Sequence, residues 1–253
     1  MTSAILMACI SLVTLHPVQR RNMDYGLPAG ARVIETRTIN TKGHPNRALV
    51  LWMLRPKTNP RDTPDEIYMC PEETRGSYLS GPLRVSLVDT ATRKLINTVE
   101  VKQEYSEGNE DSFDIPYKIH QGYYHVGGVR GTMEGKPAIM WLRDYNGDGR
   151  ALEFALYDAL ACMGLSTSLI GYSERQDRVI QYETELTTQE GNKRSTVVTR
   201  WVDYLFSKKT NAPGYWKYEI DYRGPGGSLD RYEIRYDRAR ERFEGKLVVQ
   251  TDE

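Results

Sequence analysis

The sequence carries no surplus of charge of either sign, with 34 Lys and Arg against 34 Asp and Glu in 253 residues. A dedicated nucleic-acid binder gathers a basic excess on one face, so that class is argued against. Long hydrophobic runs are missing as well. Residues 4–15 (AILMACISLVTL) form an uncharged apolar run, but a spanning helix needs about 20 such residues. A transmembrane protein is therefore not expected. Histidine and cysteine are scarce, at 4 and 3 residues, with no CxxC and no grouped histidines to hold zinc. GxSxG, P-loop and HExxH motifs are absent too, which removes the commonest signatures of hydrolases and nucleotide enzymes. Phenylalanine is rare, at 4 residues, whereas tyrosine reaches 17 and tryptophan 4. Most aromatic surface thus bears a polar tip, which suits sheet faces and wet interfaces rather than dry helical cores.

The run at 4–15 has the length of a signal-peptide core and is followed by Pro17 and Arg20–Arg21. Residues 1–19 are accordingly expected to be a signal peptide, although no Lys or Arg precedes the run and no A-x-A triplet follows it. Removal would place the protein in a secreted or periplasmic compartment. Retained, the run would be a core segment of a cytoplasmic protein. With the leader gone, Cys70 and Cys162 remain as an even pair and are candidates for a disulfide. The alternative is two separate buried thiols.

The body of the chain reads as mainly β. Residues 20–143 are expected to form an antiparallel β-sandwich-like layer, and residues 144–253 a loop followed by an antiparallel β-meander. The two regions are also compatible with one continuous domain. Strands are expected at 48–54, 83–89 and 94–102, the last two as a hairpin, and at 113–119, 122–126 and 138–142. Residues 151–163 suit either a helix capped by Gly164 or a strand, and the neighbouring strands favour the strand.

Alternation is clearest near the C-terminus. Trp216, Tyr218, Ile220 and Tyr222 alternate with Lys217, Glu219 and Asp221; Tyr232, Ile234 and Tyr236 alternate with Arg231, Glu233 and Arg235. A third run sets Phe243, Leu247 and Val249 against Arg242, Glu244 and Lys246. Charge suggests the register. Pairing Tyr218 with Tyr232 sets Glu219 opposite Arg231 and Lys217 opposite Glu233. Pairing Tyr236 with Phe243 sets Arg235 opposite Glu244 and Glu233 opposite Lys246. Each such pair is worth at most about 1 kcal/mol, but a slip by one residue would turn the aromatic face outward. Segments 178–188 and 195–206, joined by the turn at 190–193, are expected to extend the same meander.

The most specific motif runs from Asp144 to Glu153 (DYNGDGRALE). Oxygen-bearing side chains at alternate positions converge on one hard cation when the backbone curls, and a glycine at the sixth position permits the turn. An oxygen set without thiol or imidazole points to Ca²⁺ rather than Zn²⁺. The alternative is a plain hairpin turn with solvated acids, since Asn-Gly and Asp-Gly are common there. The motif resembles the calcium loops of the EF-hand, the integrin-type FG-GAP repeat and the extracellular Excalibur motif. The resemblance implies side-chain oxygens from Asp144, Asn146, Asp148 and Glu153 and a backbone carbonyl from Arg150. It covers residues 144–153 alone. Ala155 stands where an EF-hand has its closing acid, Leu152 where FG-GAP has Asp, and the Excalibur cysteine is absent.

Together these features predict an exported, calcium-stabilised β-rich structural or binding protein, of the bacterial envelope or extracellular space, with a protein or polysaccharide partner. The alternative is a secreted glycan-acting hydrolase with a structural calcium and two catalytic acids among Asp203, Glu219, Asp221 and Glu233. Trp201 and Trp216, with their aromatic neighbours, would then offer stacking surfaces for sugar rings. The charged partners around three of those acids favour a solvated ionic lattice, and the apolar alternation favours core packing of Trp216.

Overall fold

Period-two alternation governs the fold. The computed structural model describes residues 25–59, 78–103, 112–115, 125–126, 137–160, 164–223 and 227–251. Among these, every regular element is a strand apart from one 3-10 turn at Leu205–Ser207. No helix there is long and apolar enough to cross a membrane. Residues 1–19, Cys70 and Cys162 lie outside the described residues, and with them the expected leader and disulfide.

The first sheet is antiparallel, in the order β1 (Ala31–Thr38), β2 (Arg47–Leu54), β5 (Leu83–Asp89) and β6 (Lys94–Glu100). Beside it, β3 (Lys57–Asn59), β4 (Tyr78–Gly81) and β7 (Phe113–Ile115) form a small sheet, and β8 (His125–Val126) pairs β9 (Pro137–Ala138). A strand expected at 138–142 is confined to its first residue. The amides of Ile139 and Met140 instead donate to the Glu35 carboxylate, at 2.7 and 3.2 Å. Glu35 adjoins a bulge in β1, where the register shifts between Val33 and Glu35. A side chain has taken the place of a ladder partner.

A second sheet centres on β11 (Gly164–Ser173), flanked by β10 (Glu153–Leu160) on one side and by β12 (Arg178–Gln181) and β15 (Val202–Asp203) along its length. Within the ambiguous segment 151–163, residues 153–160 are thus a strand, and 161–163 lie outside the described residues. The third sheet runs β14 (Lys193–Thr199), β13 (Thr184–Glu190), β18 (Arg242–Thr251), β17 (Ser228–Asp237) and β16 (Tyr215–Asp221). The registers Tyr218–Tyr232, Glu219–Arg231, Lys217–Glu233, Tyr236–Phe243, Arg235–Glu244 and Glu233–Lys246 all occur as expected. Segment 178–188 does not simply extend this meander. Its first part, β12, belongs to the second sheet, and β13 joins β18 in parallel, with Thr184 beside Phe243. Segment 195–206 likewise divides, since β14 ends at Thr199 and β15 pairs with β11.

Alternation in β10 and β11 explains the layering. Phe154, Leu156, Ile170 and Tyr172 point to a core shared with Leu49, Leu51, Leu83, Val85 and Leu87 of the first sheet. Ala155 and Leu169 point the other way, to a core with Trp216, Tyr232, Ile234, Phe243 and Leu247. The β10–β11 sheet is therefore the middle of three layers, and β11 is buried on both faces from Leu165 to Ser173. Both faces being apolar or small, its sequence loses the simple inside-outside alternation of the outer strands. Phe243 sits at the centre of the second core, with ring centroids 5.3 Å from Phe206 and 5.7 Å from Trp216. Replacing Phe243 with Ala should lower unfolding free energy by about 3–5 kcal/mol in a urea titration. A loss under about 1 kcal/mol would mean that this core collapses freely around the cavity.

Candidate functional site at the 144–153 loop

The spacing that drew attention to this loop acts first on its own backbone. A bridge closes the base, with Arg143 N–H donating to Glu153 C=O at 2.7 Å and Glu153 N–H returning to Arg143 C=O at 3.3 Å. Asp144 Oδ1 accepts the amides of Gly147 and Asp148, at 2.7 and 3.0 Å, and its Oδ2 accepts that of Gly149 at 2.8 Å. Asn146 Oδ1 accepts the Asp148 amide, and Asp148 Oδ1 accepts the Arg150 amide, both at 2.9 Å. Side chains that bond amides two residues on are Asx turns, which favour Asp and Asn at alternate positions. Gly147 and Gly149 supply the left-handed φ values, 74° and 87°, that the curl requires.

Glu153 lies under this curl, with no exposed surface. Its Oε2 accepts the Tyr145 amide at 3.1 Å, and its Oε1 accepts Asn146 Nδ2 at 3.0 Å. The same amide nitrogen reaches Asp148 Oδ2 at 3.3 Å. Opposite Glu153, on β11, stands Gly171, where an added Cβ would fall 2.6 Å from Glu153 Cγ. The stem of the Glu153 side chain and the Leu152 carbonyl oxygen, 2.9 Å from that point, thus occupy the space of a missing side chain. Burial pushes the Glu153 carboxyl up to about 8, with Asp148 and Asp144 adding to the rise and the Tyr145 amide opposing it.

Long-range contacts tie the loop to all three layers. At Gly147 a Cβ would lie 2.6 Å from the carbonyl carbon of Pro213, which precedes β16. Arg238, in the β17–β18 turn, donates to the Gly147 carbonyl at 2.6 Å. Arg150 donates to the Asn40 carbonyl, just past β1, and pairs with Glu174 at the end of β11. The Tyr145 ring enters the second core, edge-on to Phe206 at 5.6 Å.

Of the residues expected to hold calcium, the structure brings Asn146, Asp148 and Glu153 together around one amide nitrogen. Asp144 is engaged by backbone amides, and the Arg150 carbonyl accepts the Leu152 amide at 3.1 Å. Among the described residues, no three or more His, Cys, Asp or Glu side chains are grouped to hold a metal ion. The donor chemistry nonetheless suits a hard cation. Two acids, one wholly buried, meet at the Asn146 side-chain amide, and their other hydrogen bonds come from the neutral backbone amides of Tyr145 and Arg150. A divalent cation would neutralise them far better than an amide does.

The acids of the alternative, hydrolytic reading lie elsewhere. Glu219 pairs Arg231 at 2.7 Å, Asp221 pairs Arg223 at 2.9 Å, and Glu233 accepts the Tyr215 hydroxyl at 3.2 Å. Asp203 is half-buried on β15, where burial and nearby Asp230 push its carboxyl up. Trp201 and Trp216 are buried in the two cores rather than displayed to a ligand.

Several residues that matter most here carry no local signal. Gly171, Pro213 and Arg238 meet the loop only through the fold. So does Arg47, which bonds Asp177 at 3.0 and 2.6 Å and Asp89 at 2.7 Å, tying the first sheet to the β11–β12 turn. Fold and loop together define a layered, antiparallel all-β protein with an acidic loop at the junction of its sheets. Compared with known proteins, the chain matches no family model, no curated sequence and no solved structure.

A pH dependence follows from Glu153. Between its ordinary value of 4.5 and its folded value of about 8, the native state keeps a proton that the unfolded chain has released. Stability is then fully present below 4.5 and falls as pH rises through 8, by several kcal/mol at about 1.4 kcal/mol per unit. Urea titrations in EDTA across that window should show this decline, and Glu153→Gln should flatten it. Parallel profiles for the two proteins would assign the decline to another group.

Proposed function

We propose that the protein is an exported, calcium-stabilised β-rich structural or binding protein with a protein or polysaccharide partner at the envelope or in the extracellular space. The observation that carries this reading is the loop's position. Its acids lie where three layers of sheet meet, and Asp148 and Glu153 share one amide donor there. Calcium would be held by Asp144, Asn146, Asp148 and Glu153, with the Arg150 carbonyl. Bound there, it supplies positive charge to a buried acidic junction. The chain's own residues do the remaining work. Asp144 holds the curl, Gly147 permits contact with Pro213, and Arg238 and Arg150 fasten the loop to neighbouring layers.

Export rests on the apolar run at 4–15 and is consistent with a weak site, since extracellular modules bind calcium at about 10⁻⁴–10⁻³ M. Binding is favoured over cleavage because Glu219, Asp221 and Glu233 are bonded to Arg or Tyr on the open face of the third sheet.

Thermal melts of the full chain test the calcium assignment. With calcium about 100-fold above Kd, the gain is about 2.7 kcal/mol. For a protein of this size that corresponds to a rise in Tm of roughly 5–10 °C over EDTA. Asp148→Ala should abolish most of the rise. An unchanged Tm on moving from EDTA to calcium would refute the metal.

A further inference from the structure

A cavity of about 160 Å³ opens beside the loop, between the middle sheet and the third. A cavity of about 150 Å³ accommodates a single six-membered ring such as benzene, so the space suits one ring rather than a cofactor or a peptide. Tyr172, Tyr182 and Tyr236 contribute aromatic surface, and Asp148 of the loop stands in its wall. Tyr172 and Tyr182 are buried, and Tyr182 and Tyr236 brace one another edge to face at 6.0 Å. The aromatic part of the site is held by core packing and does not need to be assembled on binding.

The polar groups at this cavity fall into two sets. Glu241 is already satisfied, accepting Ser173 Oγ at 2.6 Å, Arg175 Nε at 2.7 Å and Gln176 Nε2 at 2.9 Å. Four other groups keep capacity to spare among the described residues. The Tyr236 hydroxyl makes no hydrogen bond to them. Arg238 spends one N–H on the Gly147 carbonyl. Asp148 Oδ2 receives only the 3.3 Å contact from Asn146. Glu174 Oε1 takes the Lys42 amide and Arg150, which leaves its second oxygen open. Two donors and two acceptors, ringed by aromatic surface, form the pattern that adjacent ring hydroxyls satisfy, because each hydroxyl both donates and accepts.

Charge narrows the ligand further. Three carboxylates (Asp148, Glu174, Glu241) and two guanidiniums (Arg175, Arg238) line the cavity, a formal excess of one negative charge. Without calcium at Asp148, that discourages phosphate, sulfate and uronate. A neutral hydroxylated ring brings no charge that must be stripped of water.

We propose that this cavity binds a single neutral pyranose unit of a glycan, with its hydroxyls held by Asp148, Glu174, Arg238 and Tyr236. The proposal deepens the reading of the protein as a binding protein and rests on it. The loop then has two tasks, joining the layers and presenting Asp148 to the sugar.

Saturation-transfer NMR on the full chain tests this, using methyl glycosides of glucose, galactose, mannose and N-acetylglucosamine as probes, and free alanine as a zwitterionic control. At least one glycoside should receive transfer at its ring protons. Tyr236→Phe and Arg238→Ala should each weaken binding roughly three- to tenfold, as expected for one lost hydrogen bond. Lys217→Ala, on the exposed face of β16, should leave it unchanged. Thermal melts confirm that each variant is folded. Absence of transfer from all four glycosides, transfer to alanine instead, or equal transfer in every variant would overturn the assignment. Running the series in calcium and in EDTA separates the two proposals. Pyranose binding with a calcium-blind Tm would remove the metal and leave this site standing. A calcium-dependent Tm without transfer would remove the site alone.

Discussion

The structure turns on a carboxylate that water cannot reach. Glu153 is the first residue of β10, and its side chain lies inside the junction instead of on a strand face open to solvent. A buried acid is tolerated only when its oxygens are satisfied, and here an amide of the loop and the Asn146 side chain satisfy them. That requirement dictates the curl of residues 144–149, which must return Tyr145 and Asn146 to the same point. Gly171 on the facing strand fits the same close packing, because a Cβ there would meet the Glu153 Cγ and the Leu152 carbonyl oxygen. One group therefore couples loop shape, strand pairing and the local electrostatic field.

The middle sheet is the second constraint. With Phe154 and Ile170 facing one core and Ala155 and Leu169 the other, neither outer sheet packs on the other. The first sheet buries Ala48, Val50, Trp52 and Val88 on its other face, whereas the third sheet keeps a charged, solvated face that carries Lys217, Glu219, Arg231 and Glu233. Ion pairs such as Arg231–Glu219 lie on that open face and contribute little each. The Arg47 link to Asp177 and Asp89 differs, because Arg47 is buried. Losing either acid there would leave a guanidinium short of partners in a poorly solvated place.

The last three strands could be read from the sequence because each has one wetter and one drier face. In β16, β17 and β18 the alternation of aromatic and charged residues, with charge complementarity across the pairs, defined both the strands and their registers. Such reasoning weakens where a strand is buried on both sides. Residues 164–173 (GLSTSLIGYS) mix small and apolar residues and show no preferred face. The parallel union of β13 with β18 was equally hidden, since it joins segments distant in the chain and leaves no local trace. At the site, the alternating Asp and Asn marked the loop that the fold places between its sheets, because cation binding and Asx turns favour the same spacing. What the loop touches was not legible. Pro213, Arg238 and Gly171 are ordinary turn or strand residues until the fold places them beside it.

The parallel pairing also sets an order of events as the chain is made. In the third sheet, β18 lies between β13 and β17, although β13 precedes it by the whole of β14, β15, β16 and β17. The β13–β14 hairpin therefore emerges with one edge bare, and that edge waits for Phe243 and the residues after it. Pairings of such long sequence separation form late and leave strand edges open in the meantime. During synthesis, the waiting edge of β13 is open to capture by a chaperone or by a neighbouring nascent chain, whereas β14, with its exposed Val197 and Val198, is the outer strand of the finished sheet.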